Sequence, residues 1–239
     1  MSRWRLSLVL IACLVAGFPG RASASELGRL TRKVEEVKKK PQEQDAATEM
    51  QRGEPVQERM EVETGKDSGA EFAIGNAQYV MTMGPKSKFV FEGAQFEDEE
   101  LDRWRCKVVL GSIWIYFAHG VHSPPATEPR VLGRLPGEVV IQVGDTDITL
   151  VGTAVFLRVE RNGMASLYVA EGVAVVAEPG GEVRVGPGQW TMFGPGLPPQ
   201  PPARSDRRPT QGPFRPEIPG PVLLDPGSLR FDLPKSWVP

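Results

Sequence analysis

The amino-acid sequence predicts an all-β fold over its central part, from Pro55 to Phe193. Short runs of β-branched, aromatic and other apolar residues are separated there by glycine, proline, asparagine and aspartate at intervals of roughly ten residues, a spacing typical of strands joined by turns. Alternate positions within the runs are apolar, which gives each strand one apolar face. The alternation is visible at Phe72 and Ile74, Phe89 and Phe91, Ile113 and Ile115, and Val139 and Ile141. Two architectures fit this pattern, a two-layer β-sandwich and a more solenoidal stack of short strands.

The first 24 residues have the features of a signal peptide. Two arginines precede an apolar stretch from Leu6 to Phe18, and the small residues Ala22 and Ala24 mark a cleavage site before Ser25. The apolar stretch is shorter than the roughly 20 residues that a membrane span needs. We therefore expect an exported protein, periplasmic or extracellular, with no membrane span after signal cleavage.

The residues around Cys13 also fit a lipobox, so a lipoprotein anchored through Cys13 is the minor alternative. Signal cleavage removes three arginines and no acidic residue, so the formal charge changes from −2 to −5. The mature chain then has one cysteine, Cys106, which excludes an internal disulfide. With no basic excess there is no electrostatic case for nucleic-acid binding.

Residues 25–54 form a charged N-terminal segment ahead of the β domain. Leu27, Leu30, Val34 and Val37 recur at three- and four-residue steps, which suits one face of a short amphipathic helix. The end of this stretch also fits a first β-strand, and the choice between helix and strand for residues 27–37 stays open at this point. Residues 41–51 have few apolar side chains, which is typical of a linker.

The clearest single element is a β-hairpin. Apolar residues alternate with others from Val155 to Val159 and again from Leu167 to Val169, with Asn162-Gly163 between the two runs. Asn-Gly reaches positive φ at low cost and favours the tight turn of a hairpin. Further turns are predicted at Glu171-Gly172 and at Pro179-Gly180-Gly181.

Residues 195–239 form a Pro-rich tail. Prolines cluster at positions 198, 199, 201 and 202, and such a segment favours an extended, polyproline-like chain. The last part, from Val222 to Trp237, is too apolar for a spacer. We expect it to dock by adding a strand to an open sheet edge of the domain or of a partner, with Phe231 and Trp237 as contact residues.

Several sequence motifs in the central region resemble the FecR domain family. They are Val62 to Ile74 followed by Met83 to Phe91, Ile148 to Phe156, Val169 to Val175, and Gly186 to Trp190. Their order and spacing match over residues 55–194. The resemblance implies an extracytoplasmic all-β module, known from transmembrane regulators that relay a signal from an outer-membrane receptor to a sigma factor. With a cleavable signal peptide in place of a cytoplasmic domain and membrane helix, the chain is similar to stand-alone exported members of the family.

No residue pattern predicts a catalytic centre, a cofactor site or a metal site. His119 and His122 supply two nitrogens, whereas a catalytic zinc ion usually takes three protein ligands, so a solvated loop is favoured. The acidic residues 97–100 lack the spacing and central glycine of an EF-hand and indicate a solvated loop. Asp145 and Asp147 fit a turn. Cys106 lies in an apolar strand, where cysteine behaves as a small buried hydrophobe.

The tryptophans are divided between core and contact roles. Trp114 and Trp190 lie within strands, which favours packing in the core. Trp104 lies between two arginines and is expected, like Phe231 and Trp237, to contact a partner. The sequence thus predicts a non-enzymatic binding or scaffold module of the bacterial cell envelope, with an envelope protein or glycan as partner. Two alternatives are a sensor or regulatory accessory protein acting with a separate membrane signalling partner, and an envelope polysaccharide-binding module.

Overall fold

The computed structural model describes residues 26–42, 44–75, 77–97, 100–117 and 137–205, and this part of the chain contains fifteen strands and no helix. The all-β prediction is confirmed. The strands are β1 (Glu26–Val34), β2 (Val37–Lys40), β3 (Thr48–Glu49), β4 (Pro55–Gln57), β5 (Met60–Thr64), β6 (Gly69–Ile74), β7 (Tyr79–Met83), β8 (Lys88–Glu97), β9 (Glu100–Phe117), β10 (Glu138–Val143), β11 (Thr146–Val159), β12 (Ala165–Glu178), β13 (Gly181–Val185), β14 (Gln189–Phe193) and β15 (Ala203–Arg204).

Three long strands fold one continuous sheet into the two layers of a sandwich. β9 pairs with β8 and β10 through residues 100–110 and with β7 through residues 113–117. β11 pairs with β10 through residues 146–151 and with β9 through residues 154–159. β12 pairs with β14 through residues 165–169 and with β13 through residues 174–178. Layer I is β4-β1-β6-β7-β9-β11-β12-β14-β15, and layer II is β3-β2-β5-β8-β9-β10-β11-β12-β13.

The long strands change layer at glycines or at irregularities in the pairing. Gly111 in β9 has a φ of 91°, and Gly172 in β12 has a φ of 73°. β11 changes layer where its register shifts between Val151 and Ala154. The turn predicted at Glu171-Gly172 is therefore wrong, because β12 continues through this point as one strand and the glycine bends the chain without reversing it.

The core lies between the two layers and is rich in aromatic side chains. Phe72 of layer I meets Phe91 of layer II with ring centroids 5.6 Å apart, and Tyr79 of layer I meets Trp104 of layer II at 6.2 Å. Each of these four side chains is at most 1% exposed. Burial stabilises the fold by roughly 1.5–3 kcal/mol for each phenylalanine.

The charged N-terminal segment belongs to the sheet. β1 pairs with β4 and β6, and β2 pairs with β3 and β5, so the choice between helix and strand is resolved in favour of strands. The helix-like spacing arises because the register of β1 shifts on both sides of Leu30 and because Glu35, with a φ of 52°, interrupts the alternation. As a result Leu27, Leu30 and Val37 all face the core. The domain boundaries at residues 55 and 194 stay a prediction.

The hairpin between β11 and β12 is confirmed, with a longer turn than Asn-Gly predicts. Gly163 alone in this loop has a positive φ, 81°. Its N–H donates to the Glu160 carbonyl at 3.0 Å, and the Glu160 N–H donates to the Met164 carbonyl at 2.8 Å. Asn162 Oδ1 accepts a hydrogen bond from the Met164 N–H at 3.0 Å. This is a three-residue loop with glycine in the left-handed position.

Candidate functional site

Four aromatic side chains form a single row across layer I. Trp114 of β9 is paired with Phe156 of β11, Phe156 with Tyr168 of β12, and Tyr168 with Trp190 of β14. We call these four residues the aromatic row. Neighbouring strands lie about 4.8 Å apart, so the row is about 14 Å long and runs perpendicular to the strands.

The aromatic row lies on the outer face of layer I, away from the core. Successive side chains of a strand point to opposite faces of the sheet. Ile113 and Ile115, on either side of Trp114, pack in the core, so Trp114 points outward. Trp114 is buried, as predicted, but it lies outside the core cluster between the layers, and Trp190, which is paired with Tyr168 on the same face, is only partly buried. The two flanking isoleucines were the sequence signal that could have revealed the direction of Trp114.

The row is much less exposed than its place on an outer face would suggest. Trp114 is 6% exposed and Tyr168 is 3% exposed, whereas Phe156 and Trp190 are partly buried. Within the row the rings of Trp114 and Phe156 contact each other, with centroids 5.3 Å apart and planes inclined by 50°. The buried Trp114 Nε1 has no hydrogen-bond partner within the described structure. A buried donor without an acceptor costs roughly 1–3 kcal/mol. Trp104 Nε1 in the core is unpaired in the same way among the described residues, and Trp114 differs from it in lying on the outer face of layer I.

One end of the row is polar. Beyond Trp114 the same line of paired residues continues with Thr82 of β7 and Glu71 of β6, and the Glu71 carboxylate accepts a hydrogen bond from Thr31 Oγ1 at 2.9 Å. Tyr116 is the next outward residue of β9. Burial raises the pKa of its phenol, and the nearby Glu71 carboxylate acts in the same direction. The site is thus an apolar strip with polar groups at the β6 end.

The outer face of layer II is charged. Arg105 Nε donates to Glu92 Oε2 at 3.0 Å, and Arg105 Nη2 donates to Asp147 Oδ1 at 2.9 Å. Arg103 pairs with Glu138 at 2.8 Å. Pairs as exposed as these contribute at most about 1 kcal/mol each. The predicted turn role of Asp147 is wrong, since this residue lies in β11 and pairs with Arg105. Opposite charges alternate across these strands and neutralise one another.

Of the three residues predicted to contact a partner, Trp104 is the one that the structure describes, and it is buried. Its side chain is 1% exposed and stacks on Phe91 with ring centroids 6.5 Å apart. The two flanking arginines take the outward positions of β9 and leave the indole to the core, so Trp104 is not available for contact. Phe231 and Trp237 lie outside the described residues, and their contact role stays a prediction.

The remaining reactive side chains do not form a second site in the described part of the chain. Cys106 is a free thiol and fully buried, as predicted, and burial raises its pKa well above the ordinary value. His119 and His122 fall outside the described residues. Among the residues that the structure describes, no group of three or more histidine, cysteine, aspartate or glutamate side chains could hold a metal ion, and no helix could cross a membrane.

The sequence matches no family model and no curated protein sequence. Among solved structures, it is similar to two crystal structures of a candidate anti-sigma factor from Parabacteroides distasonis, at 1.65 and 2.50 Å resolution. Each is 9% identical to this chain, with a TM-score of 0.46. The match covers 61% of this chain and 60% of the other, so the chain spans less than two thirds of the length of the structures that it matches.

Proposed function

We propose that the protein is a non-enzymatic, extracytoplasmic binding module of the bacterial cell envelope, related to the FecR domain, and that it binds an envelope protein through the aromatic row. The observation that carries the proposal is the row itself, four aromatic side chains on the outer face of a sheet. Tyrosine and tryptophan combine a large apolar area with a polar tip, and for that reason they are enriched at interfaces.

The row and the FecR resemblance involve the same parts of the chain. Phe156 ends one of the motifs that carry the resemblance, and Trp190 ends another. Both residues are partly exposed, as residues that bind a partner must be. Export supports an envelope role and rests on the signal-peptide pattern of residues 1–24, with lipid anchoring through Cys13 as the minor alternative.

Affinity capture of the mature protein from native envelopes tests the proposal. The row variant, Phe156→Ser with Trp190→Ser, removes two partly exposed members of the row. Its matched control, Val109→Ser with Val173→Ser, removes apolar groups that are 42% and 36% exposed. Captured proteins are identified, purified and rebound to all three forms. We expect the row variant to bind its partner at least tenfold more weakly than the wild type and the control do.

The outcomes separate the alternatives. Equal binding of a purified protein partner by all three forms would refute the row as its binding surface. A purified envelope polysaccharide that binds the wild type, and not the row variant, would replace the protein partner with a glycan. Identification of the partner as a membrane signalling protein would make the module a regulatory accessory protein that uses the same surface.

A further inference from the structure

We infer that the Pro-rich tail of the chain itself lies across the aromatic row, with residues 213–219 as a polyproline helix. This deepens the proposed function and rests on it, because it concerns the same surface. The first observation is the burial of Trp114 and Tyr168 to 6% and 3% exposure. The strands next to β9 and β12 belong to the same layer, so their side chains lie beside the rings of Trp114 and Tyr168. These neighbouring strands do not cover the rings from above. A segment that packs on the face from outside accounts for the burial.

The tail leaves the described part of the chain at one end of the row. β15 pairs with β14 so that Ala203 is opposite Trp190, and the Ser205 N–H donates to the Gly188 carbonyl at 2.9 Å. Residues 206–239 therefore begin beside the last aromatic residue of the row. Residues 206–212 can extend over about 23 Å, which exceeds the row's length of about 14 Å and lets the chain turn back across it.

The spacing of prolines in the tail matches the spacing of the strands. Pro213, Pro216 and Pro219 occur at every third position. A polyproline helix has three residues per turn and rises about 3.1 Å per residue, so these prolines lie on one face about 9.3 Å apart. Every second member of the aromatic row is about 9.6 Å from the next. Successive prolines of the triplet can therefore pack on Trp114 and Tyr168, one on each ring.

The alternation of burial along the row agrees with this spacing. Trp114 and Tyr168, the first and third members, are buried, while Phe156 and Trp190, the second and fourth, are partly exposed. A ligand that contacts every second strand produces this pattern. A flat surface would cover all four residues alike.

The unsatisfied indole nitrogen supplies a polar contact for the same ligand. Trp114 Nε1 is buried without an acceptor among the described residues. A polyproline helix makes no internal hydrogen bonds, so its carbonyl oxygens are available to donors on the surface that binds it. Proline-rich segments are generally recognised in aromatic-lined grooves, where the preformed helix loses little entropy on binding. The tail meets these requirements at Trp114.

A tail in this position competes with any partner for the row. Because the tail is tethered, its local concentration at the row is on the order of millimolar. A partner must displace the tail, so replacement of its prolines is expected to strengthen partner capture.

Two measurements on the full mature chain test the inference. A Glu-specific protease cuts after Glu217, inside the proline triplet. We expect this cut to be at least tenfold slower in the wild type than in a variant with Trp114→Ser and Tyr168→Ser, which lacks the two rings that the prolines contact and has the same tail sequence. The tail variant, Pro213→Ala with Pro216→Ala and Pro219→Ala, should also be cut fast, and its matched control, Pro221→Ala with Pro226→Ala and Pro234→Ala, should be cut as slowly as the wild type. Equal rates in the wild type and in the variant with Trp114→Ser and Tyr168→Ser would overturn the inference.

A photo-crosslinking amino acid in place of Phe156 identifies the occupant directly. Crosslinks to residues 213–219 of the same chain are expected. Crosslinks to residues 118–136, or to a second, isotopically distinct copy, would overturn the inference. The two proposals can fail separately: rapid cutting of an unprotected tail, combined with partner binding that depends on the row, removes the tail inference and leaves the proposed function intact.

Discussion

Replacing Gly111 with alanine should strongly destabilise the fold, because this residue is where β9 passes from layer II to layer I. Its φ is 91°, and a Cβ built on it would lie 2.4 Å from Ser87 Cα and 2.2 Å from Ser87 Oγ. The hydroxyl could rotate away only by giving up its hydrogen bond from the Ser112 N–H at 2.9 Å. The Cα could move only with the backbone that leads into β8.

The expected loss of stability has two parts, a backbone term and a steric term. Alanine variants of two other glycines distinguish these terms. Positive φ costs an alanine about 1–2 kcal/mol, and forcing an atom into a packed site adds about 1–3 kcal/mol. Gly111→Ala should therefore lower the free energy of unfolding by about 2–5 kcal/mol. Gly144 has a φ of 57° and an added Cβ would meet nothing within 4 Å, so Gly144→Ala should show only the first part. Gly180 has open space around it and should tolerate alanine within about 0.5 kcal/mol.

Urea unfolding followed by tryptophan fluorescence measures these differences. With a slope of about 2 kcal/mol per molar urea, the midpoint should fall by about 1–2.5 M for Gly111→Ala, by about 0.5–1 M for Gly144→Ala, and by less than about 0.3 M for Gly180→Ala. Equal midpoints for the Gly111 and Gly144 variants would mean that β9 does not approach Ser87 closely. The layer crossing would then be wrongly placed.

Three further predictions concern the core. Phe91→Ala removes a fully buried ring that packs on three other aromatic rings. It should lower the free energy of unfolding by about 3–5 kcal/mol in the same urea assay. A loss below about 1 kcal/mol would contradict the contact between the two layers. Because burial raises its pKa, Cys106 should react with a thiol reagent only in proportion to the unfolded fraction, and rapid labelling in native buffer would argue against its burial. Burial also raises the pKa of Tyr79, whose hydroxyl donates to the Gly137 carbonyl. The contribution of this shift to the free energy of unfolding is fully present below about pH 10, the pKa of an unfolded tyrosine, and is lost as the pH rises above that value. Tyr79→Phe should therefore make the urea midpoint less steeply dependent on pH between about 9.5 and 11, and an unchanged slope would contradict the assignment.

The sequence revealed the strands of the core because alternation is a local property. Ile113 and Ile115 are two residues apart and face the same side whatever their neighbours are. At the N-terminus the same rule failed, since Leu27 and Leu30 are separated by three residues and reach the core only through the irregular pairing of β1. A helix and an interrupted strand produce the same local spacing there, so long-range pairing was needed to choose between them. Trp104 was misjudged for a related reason: its charged neighbours suggested a surface position, whereas the alternation placed the indole inside.

The aromatic row could not be predicted from the sequence, because its four residues are separated along the chain by 42, 12 and 22 positions. Alternation fixes the face to which each side chain points, and only the register between strands makes the four residues neighbours. The register between β11 and β12 is the sensitive step. It shifts between Val151 and Ala154 and shifts back between Ala154 and Val155. With the first shift alone Phe156 would be opposite Val169, a core residue, and the outer and inner faces of one strand would be exchanged relative to the other. The second shift restores the pairing of Phe156 with Tyr168. The two shifts cancel, so Phe156 and Tyr168 keep the register that β11 and β12 have in layer II, and the alignment of the row is preserved only because both irregularities are present together.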